Sequence, residues 1–352
     1  MTAARKTFGW RWMRQNLFAS PLDCLLTALF LSAGIYFSWK VAEWAIVDAN
    51  FAGSSREDCT GGGACWVFIK ERLGQFAYGF YDESERWRAN IVLGLYALCH
   101  GLYFIKKVPK RPLTILIVFI LPVIATGLLL GGFAGLPHIE TTKWGGLMLT
   151  LVIAYVGICL SLPLGVLLAL GRRSVLPVVR TFSVGFIEFW RGVPLITVLF
   201  MASVMLPLFF PPGFEFDKLM RCLIGITLFA SAYIAEVVRG GLQAIPKGQF
   251  EAAGALGLSY SRAMIFVVLP QALKKVIPGI VGTFIGLFKD TTLVLVVGMF
   301  DLLGMVQAAA TDPQWLGYAM EGYVFAGAVF WVFCYAISRM SHRLENQLNV
   351  EG

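Results

Sequence analysis

Long apolar stretches separated by short polar segments run along almost the whole chain. About 20 apolar residues are enough for a helix to cross the hydrocarbon core of a bilayer, and eight such stretches can be marked out. We therefore predict an all-α integral membrane protein. The predicted spans cover approximately residues 21–47, 89–105, 113–133, 145–171, 180–207, 221–241, 272–299 and 320–338.

The composition agrees with this prediction. Hydrophobic residues make up 58% of the 352 residues and charged residues only 14%, which is far from the balance of a soluble globular domain. The first apolar segment follows a basic stretch, as in a secretory signal peptide. It is too long for an h-region and lacks an obvious small-residue cleavage site, so we interpret it as a retained first span.

Lysine and arginine are concentrated in alternate loops between the predicted spans. Because such residues stay on the cytoplasmic side, both termini and the loop at 242–270 are predicted to be cytoplasmic. The exported loop at 48–88 carries seven acids against five bases. The net charge of +8 is therefore interpreted as topology, and no basic stripe interleaved with aromatic residues indicates a nucleic-acid partner. The predicted cytoplasmic bases are Arg5, Lys6, Arg11, Arg14, Lys106, Lys107, Lys110, Arg111, Arg172, Arg173, Arg239, Lys247, Arg262, Arg339 and Arg343.

The chain also divides into two parts by the character of its spans. Residues 1–140 contain three predicted spans and the exported loop at 48–88, and the second and third spans carry no charged residue. Residues 141–352 contain five spans, and polar groups at membrane depth collect there. We predict an accessory N-terminal extension followed by a five-helix membrane domain, which includes the cytoplasmic loop at 242–270.

Two of the seven cysteines lie in the predicted exported loop. Cys59 and Cys65 are separated by a flexible segment that contains Gly61–Gly63, which makes ring closure easy. An oxidising compartment favours a disulfide between them. The alternative is a pair of free thiols, and the sequence favours the disulfide.

A Gly/Pro-punctuated and partly polar segment, Gly240–Pro270, interrupts the hydrophobic run. A short helix starting near Lys247 would carry small residues and one aromatic residue on a narrow face, which can seat closely in a groove of another protein. Gly257 would end this helix with a turn that glycine adopts at little cost. The alternative is an ordinary interfacial helix. The predicted docking face consists of Phe250, Ala253, Gly254 and Gly257.

The same segment contains Glu251–Ala253, Gly257 and Leu269–Pro270 at a characteristic spacing. It resembles the EAA loop of the membrane subunits of ABC importers, with Val267 in place of the usual Ile. The resemblance implies a docking element that couples the membrane subunit to an ATPase. The residues that it marks for this role are Glu251, Ala252, Ala253 and Gly257.

Three further stretches, Glu188–Leu195, Tyr233–Gly241 and Leu287–Leu293, look like signatures of the polar amino-acid importers. Essentially the whole chain is similar to the M-type permease subunits of general L-amino-acid ABC importers. The resemblance implies a type I permease in the bacterial inner membrane that moves L-amino acids from periplasm to cytoplasm. The implied partners are a second homologous permease in a heterodimer, two ATPase subunits that bind ATP and Mg, a periplasmic amino-acid-binding protein and membrane lipid.

Charged residues inside the predicted spans indicate a substrate path. An ionised side chain at membrane depth is costly, so it normally faces a cavity or a partner. A zwitterionic amino acid needs an anion for its ammonium and a cation or free N–H groups for its carboxylate, and a helix break at Gly192 and Pro194 exposes such groups. Alternatively, Lys289 pairs with Asp290, or Arg191 with Glu188, to fasten helices. The substrate-path candidates are Glu188, Arg191, Gly192, Lys289, Asp290, Thr291 and Thr292.

Glu236 and Arg239 are three residues apart near the cytoplasmic end of the sixth span. Such spacing predicts a local ion pair at a gate or helix interface. Counting the helical rise from Arg180 puts Arg191 roughly 16 Å from the cytoplasmic face. The amino-acid site is therefore predicted near the bilayer midplane, between the fifth and seventh spans.

The sequence does not indicate an enzyme. It has no Gly-Lys dipeptide and hence no phosphate-binding P-loop, and its three histidines, His100, His138 and His342, are scattered. No cofactor is expected in this chain. An ion-coupled secondary transporter, with Asp290 or Glu236 as the titrating carboxylate, is the alternative function, but such a carrier has no need of a docking loop.

Overall fold

The computed structural model describes residues 9–103, 105, 107–211 and 216–350, without the side chains of residues 11 and 347–350. Three bases that contribute to the predicted orientation, Arg5, Lys6 and Lys106, lie outside the described residues.

The described part of the chain is α-helical and contains no β-strand, as predicted. The α-helices are α1 (Trp10–Leu17), α2 (Pro21–Ala42), α3 (Trp66–Tyr78), α4 (Arg86–Tyr103), α5 (Lys110–Ile115), α6 (Leu121–Leu130), α7 (Gly146–Arg172), α8 (Pro177–Gly192), α9 (Leu195–Val204), α10 (Lys218–Gln243), α11 (Lys247–Ala255), α12 (Tyr260–Ala263), α13 (Leu269–Asp290), α14 (Leu302–Ala310) and α15 (Ala319–Val350).

Single turns of π-helix join several of these helices into longer rods. Within the described residues, six helical segments are long and apolar enough to cross a bilayer, and a seventh is added if the bent pair α8–α9 counts as one span. The six segments are Pro21–Val47, Lys110–Leu130, Gly146–Arg172, Lys218–Gln243, Tyr260–Val297 and Ala319–Asn346.

The predicted second span is the one that the structure does not support. Its counterpart α4 starts with Arg86 and Arg88 in its first turn, and these charges lower its hydropathy below that of the other spans. Each arginine is paired locally, Arg86 with Glu83 at 2.9 Å and Arg88 with Glu85 at 2.7 Å. Because the predicted location of both termini depends on an even number of spans, their cytoplasmic location stays a prediction.

The predicted fifth span is broken in the middle. Helix α8 ends at Gly192 and α9 begins at Leu195, and the two axes differ by 102°. Pro194 precedes α9 with φ −62°, and proline cannot donate the backbone hydrogen bond that a continuous helix requires. The predicted break at Gly192 and Pro194 is confirmed.

The chain separates into two compact units, residues 1–71 with 313–321 and residues 72–312 with 322–352. In the first unit, the Cys59 and Cys65 sulfurs are joined in a disulfide with Cα atoms 5.7 Å apart. The Cys65 N–H donates to Glu321 Oε1 at 3.1 Å. The predicted boundary at residue 140 rests on span character, and it stays a prediction.

Helix α10 is the centre of the second unit and packs against α7, α8, α9 and α13. Its contact with α7 is close because Gly165 faces Ile234: a Cβ atom at Gly165 would lie 2.7 Å from Ile234 Cγ2. Ile234, Ala235 and Val238 are fully buried there. This close packing holds the two groups of functional candidates, on α8 and α13, against the two faces of α10.

Candidate functional site

The loop at 242–270, which resembles an EAA loop, forms a separate short helix between two long ones. Helix α11 begins at Lys247, as predicted, and ends in a Schellman turn in which the Leu258 N–H donates to Ala253 O at 3.1 Å and the Gly257 N–H to Gly254 O at 2.9 Å. Gly257 has φ +74°, a conformation that glycine adopts far more readily than other residues. The predicted helix end at Gly257 is confirmed.

Only part of the predicted docking face of α11 is exposed. Ala253 is buried, and Phe250 packs against the apolar cluster at the ends of α7 and α10 with the Arg173 guanidinium 5.8 Å from its ring centroid. Of the predicted docking face, Ala253 is buried and Phe250 is half-buried against the chain's own core, whereas Gly254 and Gly257 are exposed. Amphipathicity identifies an apolar face but not what covers it. Six residues between Glu251 and the terminal turn are exposed: Glu251, Ala252, Gly254, Ala255, Leu256 and Gly257.

Five charged side chains meet where the ends of α7, α8 and α10 come together. Glu236 is the centre: it pairs with Arg172 at 2.8 Å, with Arg239 at 2.9 Å and with Arg191 at 3.5 Å. Arg172 also pairs with Glu188 at 3.0 Å. Three arginines and two glutamates leave this cluster with one excess positive charge.

The predicted local pair of Glu236 with Arg239 is present, whereas the alternative pairing of Arg191 with Glu188 is not seen. Arg191 instead has the longest ion pair of the cluster, and its guanidinium lies 5.9 Å from the ring centroid of Tyr233. Arg172 was assigned only to topology in the sequence. Its pairing with Glu236 spans 64 residues, and no local spacing signals such a contact.

A pocket of about 300 Å³ opens between α9, α10 and α13. Its polar groups are Tyr233, Thr283 and Asp290, and the other lining residues are apolar or glycine. Asp290 ends α13 and forms no ion pair with another described residue within the 4.0 Å limit. Tyr233 lines the pocket and also contacts the Arg191 guanidinium. The pocket therefore has the Asp290 carboxylate in its wall and an arginine beside Tyr233. The lining residues are Leu195, Ile226, Phe229, Ala230, Tyr233, Thr283, Gly286, Leu287 and Asp290.

The other candidates on α13 do not line this pocket. Lys289 is exposed and makes no ion pair with Asp290 within 4.0 Å. The hydroxyl of Thr291 donates to Phe288 O at 2.8 Å and that of Thr292 to Lys289 O at 3.0 Å. Both hydroxyl protons are therefore committed to the backbone of their own helix. Of the four residues, the structure brings only Asp290 to the pocket.

The sequence-based depth of Arg191 assumed a straight fifth span. The count from Arg180 to Arg191 runs along α8 alone, so it gives a depth only if α8 lies along the bilayer normal. Because α8 and α9 differ in direction by 102°, the two helices cannot both lie along it, and the depth of Arg191 stays a prediction. The pairing of Arg172, the last residue of α7, with Glu188 instead puts the end of α8 level with the end of α7. Tyr233 and Phe229 also line the pocket, on the predicted sixth span. The sequence does not mark either of them as a pocket residue.

Residues 161–350 match the family of binding-protein-dependent transport system inner membrane components. The chain is 54% identical to the inner membrane amino-acid ABC transporter permease protein YhdY of Escherichia coli, over 96% of this chain and 92% of that protein. It is 38% identical to the glutamate/glutamine/aspartate/asparagine transport system permease protein BztC of Rhodobacter capsulatus, over 96% and 93%.

A crystal structure of an amino acid ABC transporter with histidines is 27% identical, with a TM-score of 0.51. The match covers 57% of this chain and 92% of that one. The solved relative therefore has no counterpart for much of the present chain.

The fold and the coupling loop define the membrane-spanning subunit of an ABC importer of type I architecture, located in the inner membrane with multiple spans. This chain belongs to the family of binding-protein-dependent transport system inner membrane components. The family resemblance predicted from the EAA loop is confirmed. Its relatives are permease subunits, and the chain is accordingly a transport subunit and not an enzyme.

Proposed function

We propose that this chain is the permease subunit of an ABC importer that moves L-amino acids from the periplasm to the cytoplasm. The observation that carries the proposal is the combination of an exposed α11 with an Asp290-lined pocket inside the membrane domain. The names of the full-length relatives, amino-acid permeases in both cases, support the substrate class.

The proposed substrate site is the pocket between α9, α10 and α13. Asp290 supplies an anion for the substrate ammonium, and Arg191, next to Tyr233, supplies a cation for its carboxylate. The walls between them are apolar, which suits side chains that do not need specific polar partners. Glu188 and Glu236 hold the other arginines of the cluster, so that Arg191 keeps the weakest internal pairing and is the one available to substrate.

The proposed coupling site is the exposed face of α11. Glu251 and Ala252 lie on this face, and Leu256 is 81% exposed beside Gly257. These exposed residues belong to a helix that Phe250 and Ala253 hold against the core, so a partner that binds them can move the helix and the core together. The partner is a cytoplasmic ATPase, present in two copies, which binds ATP and Mg.

The remaining partners follow from the import reaction. A second homologous permease completes the pathway as a heterodimer, and a periplasmic amino-acid-binding protein delivers the substrate. Membrane lipid covers the apolar outer faces, such as that of α2, which has no buried residue. An ion-coupled carrier would need neither the ATPase nor the binding protein.

Reconstituted transport distinguishes these two functions. The subunit, purified with the membrane and ATPase proteins that accompany it, is placed in proteoliposomes with a labelled mixture of L-amino acids and the binding protein outside. The proposal predicts uptake that requires ATP on the ATPase side and persists when ionophores collapse the proton and sodium gradients. Uptake without ATP that is abolished by ionophores would establish the ion-coupled alternative instead.

A further inference from the structure

The second half of α3 belongs to the same compact unit as the transport core. Its Arg72 guanidinium forms an ion pair with Asp312, just beyond the end of α14. One turn later, Gln75 Oε1 accepts from Arg72 at 3.3 Å, and Gln75 Nε2 lies 4.0 Å from the sulfur of Met305 in α14. Two successive turns of α3 thus contact α14 and the residues just after it through side chains.

The next residues of the extension make backbone contacts with the core. A Cβ atom at Gly79 would lie 2.3 Å from Gly145 Cα, and one at Gly146 would lie 2.3 Å from Phe76 O. Phe76 itself is 1% exposed, and the Gly146 N–H donates to Phe300 O at 2.9 Å. Contacts this close prevent the segments from sliding past each other. The second half of α3, the start of α7 and the segment before α14 therefore form a rigid assembly.

This assembly is connected to the substrate pocket by a short and well-packed path. Directly after Asp290 the chain forms the 3-10 helix Thr291–Val297, which packs against α9. Asp301 then caps α14 through the Gly304 N–H at 2.9 Å, and Thr150 of α7 accepts the Leu302 N–H at 3.1 Å. A shift of α14 is therefore transmitted to Asp290 at the end of α13.

We propose that Arg72 and Asp312 are positioning residues for transport: they fix α14, and through it the 3-10 helix and the Asp290 carboxylate, in the geometry that receives the substrate. This inference rests on the proposed function, in which the Asp290 pocket binds an amino acid. The solved relative is covered by only part of this chain. The N-terminal extension therefore adjusts the geometry of a pocket that the core helices themselves form.

Charge exchange tests this role. The Arg72→Gln and Asp312→Asn variants should each raise the KM for uptake about fivefold, the size expected from disturbing one partly buried ion pair, with the maximal rate per subunit nearly unchanged. The double variant Arg72→Asp with Asp312→Arg should restore the KM. Lys143→Gln is the matched control, because Lys143 also joins the extension to the core, through Asp82 at 3.1 Å, but both side chains are about half exposed.

A readout independent of transport separates this proposal from the proposed function. In a Thr283→Cys background, the rate at which a small thiol reagent labels the Thr283 peptide is followed by mass spectrometry, with and without Arg72→Gln. Positioning predicts a change in labelling rate of at least threefold, as judged against the Lys143→Gln control, whether or not the pocket binds amino acids. An unchanged KM and an unchanged labelling rate, with only less protein in the membrane, would overturn the proposal.

Discussion

Glu236 Oε1 accepts a hydrogen bond from Arg172 at 2.8 Å and so ties the end of α7 to α10 across 64 residues of sequence. The same carboxylate binds Arg239 and Arg191. This one carboxylate thus forms ion pairs with three arginines, and no other member of the cluster has as many partners.

Replacing Glu236 by Gln should destabilise the subunit on the order of 2 kcal/mol, because Arg191 and Arg239 then lose their ion pairs and only Arg172 keeps one, with Glu188. Thermal unfolding of the detergent-purified protein measures this loss. Glu188→Gln is the control: Glu188 has one arginine partner, and its side chain is 55% exposed, so its loss should cost less than about 1 kcal/mol. Equal effects of the two substitutions would contradict the central role of Glu236.

The Asp290→Asn substitution tests the pocket. It keeps the size of the side chain but removes the anion, and losing one charge-assisted hydrogen bond should raise the apparent KM for amino-acid uptake roughly tenfold or more. Lys289→Gln, at the exposed neighbouring position, should leave uptake nearly unchanged. Normal affinity for every substrate in the Asp290→Asn variant would exclude Asp290 as a ligand, and collapse of expression would favour a fastening role.

The disulfide between Cys59 and Cys65 gives a direct chemical prediction. Non-reduced peptide mapping of protein purified without reductant should yield one linked peptide containing Cys59 and Cys65, and two alkylatable thiols there would count against the bridge. Because the two cysteines are only six positions apart in the sequence, replacing both by Ser should cost less than about 3 kcal/mol. The Glu321 contact uses the backbone N–H of Cys65 and is retained, so little transport should be lost.

Asp301 predicts a pH dependence of stability. Burial raises the pKa of its carboxyl to about 6, and its Oδ2 atom has no hydrogen-bond partner among the described residues. Because the folded-state pKa lies above the ordinary value near 4, ionisation disfavours the folded state. Stability should therefore fall as the pH rises from about 4 to about 6 and stay lower above, by an amount on the order of 2–3 kcal/mol.

Asp301→Asn separates this effect from the rest of the protein. The amide oxygen can still accept the Gly304 N–H that caps α14, but it does not ionise. Unfolding of wild type and variant at pH 4.5 and pH 7.5 should show a pH-dependent loss in the wild type that the variant lacks. The same loss in both proteins would assign it to another group.

Much of the fold can be predicted from the sequence because apolar length and glycine or proline punctuation are local signals. The first span, α11 and the break at Gly192 follow from them directly. The partner of Arg172 does not, since ion pairs between distant helices leave no spacing pattern. The pattern of the nine residues of α11 shows which face is apolar but not what covers it, and here the chain's own core covers Ala253 and part of Phe250, while Gly254 and Gly257 of the predicted docking face are exposed.

Substitutions in the loop that contains α11 test most directly whether this loop couples the subunit to its ATPase. In reconstituted proteoliposomes containing the ATPase, ATP-driven amino-acid uptake and substrate-stimulated ATP hydrolysis are recorded for Glu251→Lys and Gly257→Val. Gly254→Ala is the control, since Gly254 is helical and has open space around it. Glu251→Lys and Gly257→Val should reach the membrane but lose both activities, whereas Gly254→Ala should keep both. Normal coupled uptake in Glu251→Lys and Gly257→Val would contradict this coupling role.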